Sequence, residues 1–380
     1  MRDDMAAVVD RGGYPEAVTP WDGEPWRAAV SAWVERELAA RGLRATGRRE
    51  VRLRPWSVLV RLSVEGTTGA SGPDQDHRNT RLPGSAGTSG SAGASGSAGT
   101  SGSAAAPVWF KAGPPAGAFE AGLADALARW VPEHVLAPLA VAADRGWVLL
   151  PDGGPLFRDV LDRGPGGAGA WEEPLRRYAA LQRTLTPYAS QIEALGVPSA
   201  RTTALPEVFD RLVGENTALG PAQRAALHAL RPRLADWCAE LAGLGIADTL
   251  DHSDLHEGQL FAPRPGRFTF FDWGDAAVSH PFCSLLVPAR AARARYGAGV
   301  LPRLRDAYLE PWTGDGATAG ELRRAVSLAW RLGAIGRAAS WGRVFPEVAG
   351  TTSTANSTNS ANGHSDSARW LLELLAEPAL

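Results

Sequence analysis

Two carboxylates and a carboxamide stand close together in the second half of the chain. The run His252-Ser-Asp254-Leu-His256-Glu-Gly258-Gln259 is followed by Phe270-Phe271-Asp272-Trp273-Gly274-Asp275. The apolar segment 268–271 precedes Asp272, so both acidic motifs fall in loops that flank a short strand pair. A carboxylate such as Asp254 can orient a hydroxyl group and take its proton. Gln259 offers an amide oxygen and Asp272 a carboxylate, and oxygen donors of this kind suit Mg2+. Phosphoryl transfer has these needs: a base beside the acceptor hydroxyl, and a metal ion against the phosphates. The same stretch admits a second chemistry. His252, Asp254, His256, Asp272 and His280 present nitrogen and oxygen ligands at short spacing, as a dinuclear metal hydrolase would.

Lys111 weighs against the hydrolase. Lysine and arginine total 39, and Lys111 is the only lysine among them. GC-rich codon usage replaces lysine by arginine wherever charge alone matters, so a surviving lysine marks a place that needs a compact ammonium. Glu120 shares a helix face with Leu123, Leu127 and Trp130 in the segment 118–131. A carboxylate turned toward the core needs a cation, which predicts a Lys111–Glu120 ion pair. A hydrolase has no use for that pair.

Elements that must hold these residues follow from periodicity. Residues 26–41 carry Val30, Trp33, Val34 and Leu38 at helical spacing and stop at Gly42. Segments 57–64 and 108–111 read as strands, and 146–150 as a buried strand before a turn. From Trp171 onward the chain is mostly helical, over 172–191, 221–244, 282–296 and 321–343. A small hairpin interrupts it at 259–261 and 267–272, and a last short helix covers about 369–377. Residues 67–106 are rich in Gly, Ser, Ala and Thr, with a hexapeptide repeated from Gly84 to Ser101. Such a composition predicts a flexible insertion in a hairpin connection, and 349–368 reads as a second flexible loop.

The pattern H-x-D-x-x-x-x-(N/Q), then an apolar strand and D-W-G-D, resembles the aminoglycoside phosphotransferase and choline-kinase-like family, relatives of protein kinases. The resemblance covers about residues 57–343. It implies an α+β, two-lobed protein-kinase-like fold: a small β-rich N-lobe with one main helix, and a larger, mostly helical C-lobe. Residues 1–152 would then bind nucleotide, and 153–380 would carry catalysis and the acceptor. The implied activity is phosphorylation of a small-molecule hydroxyl with ATP and Mg2+ as cofactors. The implied roles are Asp254 as catalytic carboxylate and Asp272 with Gln259 at the metal. Lys111 would contact the ATP phosphates, paired with Glu120. Ser57, in the turn Pro55-Trp56-Ser57, would meet phosphate, and adenine would rest by Leu149, Pro151 and the linker to Gly153. His252, His256 and Asp275 would support the loops, His252 through a backbone carbonyl. Two departures stand out: Gln259 replaces the family's Asn, and the phosphate-covering stretch RLRPWSVLVR is not glycine-rich. Both are what a non-catalytic, nucleotide-binding relative would show.

Composition narrows the partners. A net charge of −2 and a pI near 6.4 argue against nucleic acid. No apolar run is long enough for a membrane span, and residues 1–13 have no signal-peptide core. Cys238 and Cys283 make no disulfide framework, which points to a reducing, cytoplasmic setting; the expected partners are ATP and a small-molecule acceptor, for a monomer or homodimer. Trp312, Trp330, Arg331, Arg337, Trp341 and Arg343, with few acids beyond Glu310 and Asp315, favour an acceptor less cationic than an aminoglycoside.

Overall fold

The structure, a computed structural model, describes residues 8–15, 19–66, 105–164, 167–314, 316–344 and 357–380. Strands β1 (Val8–Asp10), β2 (Leu43–Arg54), β3 (Ser57–Gly66), β4 (Ala105–Ala112), β5 (Ala140–Ala142) and β6 (Trp147–Pro151) form one sheet in the order β1-β2-β3-β4-β6-β5. β1 joins its edge in parallel; the remaining pairs are antiparallel. Helix α1 (Glu24–Ala39) starts with a proline in its first turn and covers one sheet face. Its Trp33 meets Phe110 and Trp147 edge-on, at ring separations of 6.1 and 5.8 Å. Val30, Val34, Leu38, Leu62 and Val108 complete this core.

Helix α2 (Phe119–Trp130) follows β4 but sends Phe119, Leu123 and Leu127 into a second, larger core. That core holds α3 (Phe157–Arg163), α4 (Glu172–Leu185), α5 (Ala189–Ala194), α6 (Leu205–Glu215), α7 (Pro221–Gly243), α8 (Leu286–Tyr296), α9 (Leu301–Leu309), α10 (Ala319–Val344) and α11 (Ser357–Glu373). Between them run β7 (Ser199–Ala200), β8 (Thr249–Asp251) and β11 (Ala277–Ser279), and the hairpin of β9 (Leu260–Arg264) and β10 (Arg267–Phe270). The chain therefore has the two-lobed α+β arrangement. No helix among the described residues is long and apolar enough to cross a membrane.

Three expectations change. The helix read over 172–191 breaks at Thr186–Tyr188, where Pro187 has no amide hydrogen to donate. The final helix begins at Ser357 and ends at Glu373, so much of the loop read over 349–368 is helical. Ser367, Ala368, Leu371 and Leu374 are buried there, and packing overrides the weak propensity of Ser and Asn. Residues 349–356 lie outside the described residues, as do 67–104 of the insertion; Ala105 and Ala106 belong to β4.

One packing feature gives a pH prediction. His280 is 1 % exposed, and burial alone holds its imidazole down to about 3. Its Nδ1 accepts from the Phe282 amide at 3.2 Å. The unfolded chain takes up this proton near the ordinary value of 6.5. The stabilisation is therefore present above pH 6.5 and is lost as the pH falls toward 3, by about 2 kcal/mol at pH 5. Urea titrations at pH 8 and pH 5 should show His280→Asn, which keeps an acceptor for Phe282, losing less stability than the parent by about that amount. An equal loss in both proteins would contradict this.

Candidate active site

Lys111 lies on the sheet face opposite α1. Alternation along β4 places Phe110 and Ala112 in the tryptophan core and turns Lys111 the other way. Its ammonium donates to Glu120 Oε1 at 2.6 Å and also to Asp272 Oδ1. Glu120 further accepts from the Trp273 amide, and Gly274 lets it approach: a Cβ there would sit 3.3 Å from Glu120 Oε2. Burial opposes the charge on Lys111, but Asp272 and Glu120 outweigh it and raise the ammonium above its ordinary value. Burial pushes Glu120 up despite Lys111. Asp272 goes down: burial is overcome by Lys111 beside it.

Asp254 enters from the loop between β8 and β9. Burial is the main reason its carboxyl is pushed up to about 7, with Asp275 and Asp272 adding to the shift and Arg337 opposing it. Arg337 on α10 places Nη2 2.7 Å from Asp254 Oδ1 and Nη1 3.0 Å from Asp275 Oδ2. It also donates to Ser340 Oγ at 3.0 Å. This guanidinium ties the two acidic motifs together. Sequence reasoning grouped Arg337 with an acceptor pocket and missed its contact with Asp254. A helical period that puts Arg337 on the same side as buried Ala334 and Ser340 marks an inward face but not its partner.

The loop before Asp254 is held from below. Ser253 adopts φ 61°, a region that favours glycine. Buried Asp251 stabilises it: Oδ1 accepts from the Ser253 amide at 2.8 Å and from Ser284 Oγ at 2.5 Å, and Oδ2 from Ser279 Oγ at 3.1 Å. Tyr178 Oη accepts from the His252 amide at 2.9 Å. His252 is buried, and its Nε2 donates to the Phe271 carbonyl at 2.8 Å, one residue before Asp272. Asp251→Ala should therefore slow turnover about 10-fold or more, since a misplaced base loses orientation. Adding Ser253→Gly should return part of the rate, because glycine adopts this φ without the tether. Unchanged turnover in Asp251→Ala, or no recovery in the double variant, would sink this.

Lys111, Glu120, Asp254, Gln259, Asp272 and Asp275 line one cleft of about 80 Å³, with Ser57 at its rim. Leu149 and Pro151 do not join them. Leu149 pairs with Phe110 and is buried in the tryptophan core, and Pro151 pairs with Val108 on the same face of the sheet. The Leu149 carbonyl already accepts from the Leu139 amide at 2.7 Å, and Pro151 has no amide hydrogen. The residues on the Lys111 face are instead Trp109 and Leu150. Of the aromatic and Arg residues near the C-terminus, Arg337 lies over Trp341 at 5.6 Å beside Asp254, but Trp312 and Arg331 lie elsewhere. Trp312 is buried against Phe282 at 5.3 Å, and Arg331 pairs with Glu377 while stacking over Trp237. Asp315 and the Arg343 side chain lie outside the described residues.

The donor set fits Mg2+ in kind. Asp272 keeps its carboxylate partly open to the cleft, at 39 % side-chain exposure. Gln259 donates to both Asp254 and Asp272, so its amide nitrogen faces the carboxylates, and its oxygen faces a metal only after the amide turns over. One carboxylate plus substrate phosphates is an ordinary Mg2+ environment. Among the described residues no cluster of three or more His, Cys, Asp and Glu could hold a metal by itself. The hydrolase reading also loses His280, whose lone-pair nitrogen Nδ1 already accepts from the Phe282 amide.

No family model and no curated protein matches this chain. Solved structures do. A Plasmodium vivax ethanolamine kinase is similar at 10 % identity and a TM-score of 0.49, over 87 % of this chain and 83 % of that one. A macrolide 2'-phosphotransferase from Brachybacterium faecium is similar at 16 % and 0.48, over 87 % and 97 %. A choline/ethanolamine kinase family protein from Mesorhizobium loti is similar at 16 % and 0.45, over 71 % and 83 %.

Proposed function

We propose that this chain is an ATP- and Mg2+-dependent phosphotransferase that phosphorylates a hydroxyl group of a small molecule. The observation that carries this reading is the buried Lys111 bridging Glu120 and Asp272, with Asp254 lining the same cleft. In the reaction the acceptor oxygen bonds to the terminal phosphorus of ATP, the bond to the bridging oxygen breaks, and ADP leaves. The hydroxyl proton passes to Asp254, whose carboxyl, at about 7, is a base matched to neutral pH. Lys111 meets the phosphates with a compact positive charge, and Glu120 keeps it in place. Mg2+ held by Asp272, and by Gln259 once its amide is turned, would neutralise phosphate charge.

Residues 1–152 would carry nucleotide binding, and 153–380 the base and acceptor site, in a cytoplasmic monomer or homodimer without nucleic-acid or membrane partners. Gln259 in place of asparagine, with a phosphate-covering stretch that is not glycine-rich, favours the second reading, nucleotide binding without transfer. The test is transfer of labelled terminal phosphate from ATP to a panel of amino sugars, neutral sugars and carboxylated alcohols, with and without Mg2+. Labelled product that needs Mg2+ supports the phosphotransferase. Nucleotide binding with no product and no hydrolysis would assign the non-catalytic role.

A further inference from the structure

The two oxygens of Asp254 are not equivalent. Oδ1 is taken by Arg337 Nη2 at 2.7 Å. Oδ2 faces His256 Nε2 across 3.9 Å, too long for a hydrogen bond and wide enough for one oxygen atom to bond to both. The other ring nitrogen of His256, Nδ1, lies 3.0 Å from the Gly258 amide nitrogen. An amide N–H only donates, so Nδ1 is the lone-pair nitrogen, and Nε2 carries the ring proton. Arg158 Nη2 stands 3.3 Å from the same Nδ1 as a second donor, and the Arg158 amide donates to the Glu257 carbonyl at 2.8 Å. Gly258 allows this close approach: a Cβ would meet Arg158 Nη2 at 2.6 Å and His256 Cε1 at 2.8 Å, and one of them would have to shift. Burial is the main force keeping the ring neutral. Gly258, Arg158 and Glu257 thus hold this imidazole as a single N–H donor 3.9 Å from Oδ2, on the carboxyl to which Gln259 also bonds.

We propose that the acceptor hydroxyl seats between Asp254 Oδ2 and His256 Nε2, which makes His256 an acceptor-binding residue. The hydroxyl gives its proton to Oδ2 and receives a hydrogen bond from Nε2–H on one lone pair. Its second lone pair is left free to attack phosphorus, so His256 sets the direction of approach. The inference rests on the phosphotransferase reading and goes beyond it by naming which oxygen of the base acts and what holds the acceptor.

Because the acceptor is unidentified, the probe is MgATP with water as acceptor. His256→Leu should lower hydrolysis about 10- to 100-fold, the size expected when a positioned hydroxyl loses one of its two anchors. MgADP affinity, read by fluorescence titration, should stay within about 3-fold, less than one hydrogen bond is worth. His256→Gln, which keeps an N–H donor of similar reach, should recover most of the lost rate. Parent-level hydrolysis in His256→Leu overturns the proposal, as does equal impairment of the Leu and Gln variants or a joint loss of MgADP affinity. No hydrolysis and no transfer by the unaltered chain overturns the phosphotransferase reading, and this inference with it. The parent arm of the experiment separates that failure from a failure of His256 alone.

Discussion

Replacing Asp254 by Asn should lower turnover about 10³-fold or more while leaving nucleotide affinity nearly intact. Asn keeps the size of the side chain and an oxygen for Arg337, but it cannot take a proton from an acceptor. General-base removal of this kind costs about 10²–10⁴-fold. The expectation falls at the upper end because the other carboxylates of the cleft are engaged, Glu120 and Asp272 by Lys111 and Asp275 by Arg337. Lys111 itself is held protonated by Glu120 and Asp272. Arg337 retains its bond to Asp275 Oδ2 at 3.0 Å, so the loop keeps an anchor and the variant should fold. The measurement is turnover at saturating MgATP, beside MgADP titration of the same sample. A variant that turns over within a few-fold of the parent would remove Asp254 from the role of base.

Lys111→Met should be the most damaging substitution for the fold and the site together. Methionine matches the length of the lysine stem and removes only the charge. Glu120, at 12 % side-chain exposure, then lies buried without its cation, and Asp272 loses the same partner. Breaking a buried pair from one side costs about 3–5 kcal/mol. The loss should appear as a lowered urea midpoint, with MgADP binding lost too. Lys111→Met combined with Glu120→Gln removes the stranded carboxylate, so part of the stability should return while turnover stays absent. If the single variant unfolds at the parent's urea midpoint, the pair contributes nothing to the fold. If the double variant recovers turnover, Lys111 does not act on the phosphates.

How much of this was legible beforehand depended on how local each feature is. Chemical residue types and short spacings are local. Asp254, Gln259 and Asp272 are tied by one loop and one hairpin, so their order along the chain already forces them together. Lys111 stood out because every other basic side chain intended only for charge had become arginine. Helix α1 and strands β3 and β4 were readable from periods of 3.6 and 2, because burial on one face leaves that imprint directly on the sequence.

Other features were decided by contacts between distant segments. Leu149 and Pro151 sit on a correctly placed strand but on the sheet face of the tryptophan core, and a one-residue change of register would have reversed that. No local signal states the register of β6 against β4. Helix α11 forms from a segment of loop-like composition because its apolar side packs on α10. Arg337 reaches Asp254 from a helix far along the chain, and one arginine among many carries no mark of that contact. The sequence by itself thus determined which groups could do chemistry and in which loops they lie. The tertiary structure alone decided that Arg337 caps one oxygen of Asp254 and that His256 faces the other. The reason is physical: side-chain type and spacing act over a few residues, whereas register and helix docking are settled by burial across the whole molecule.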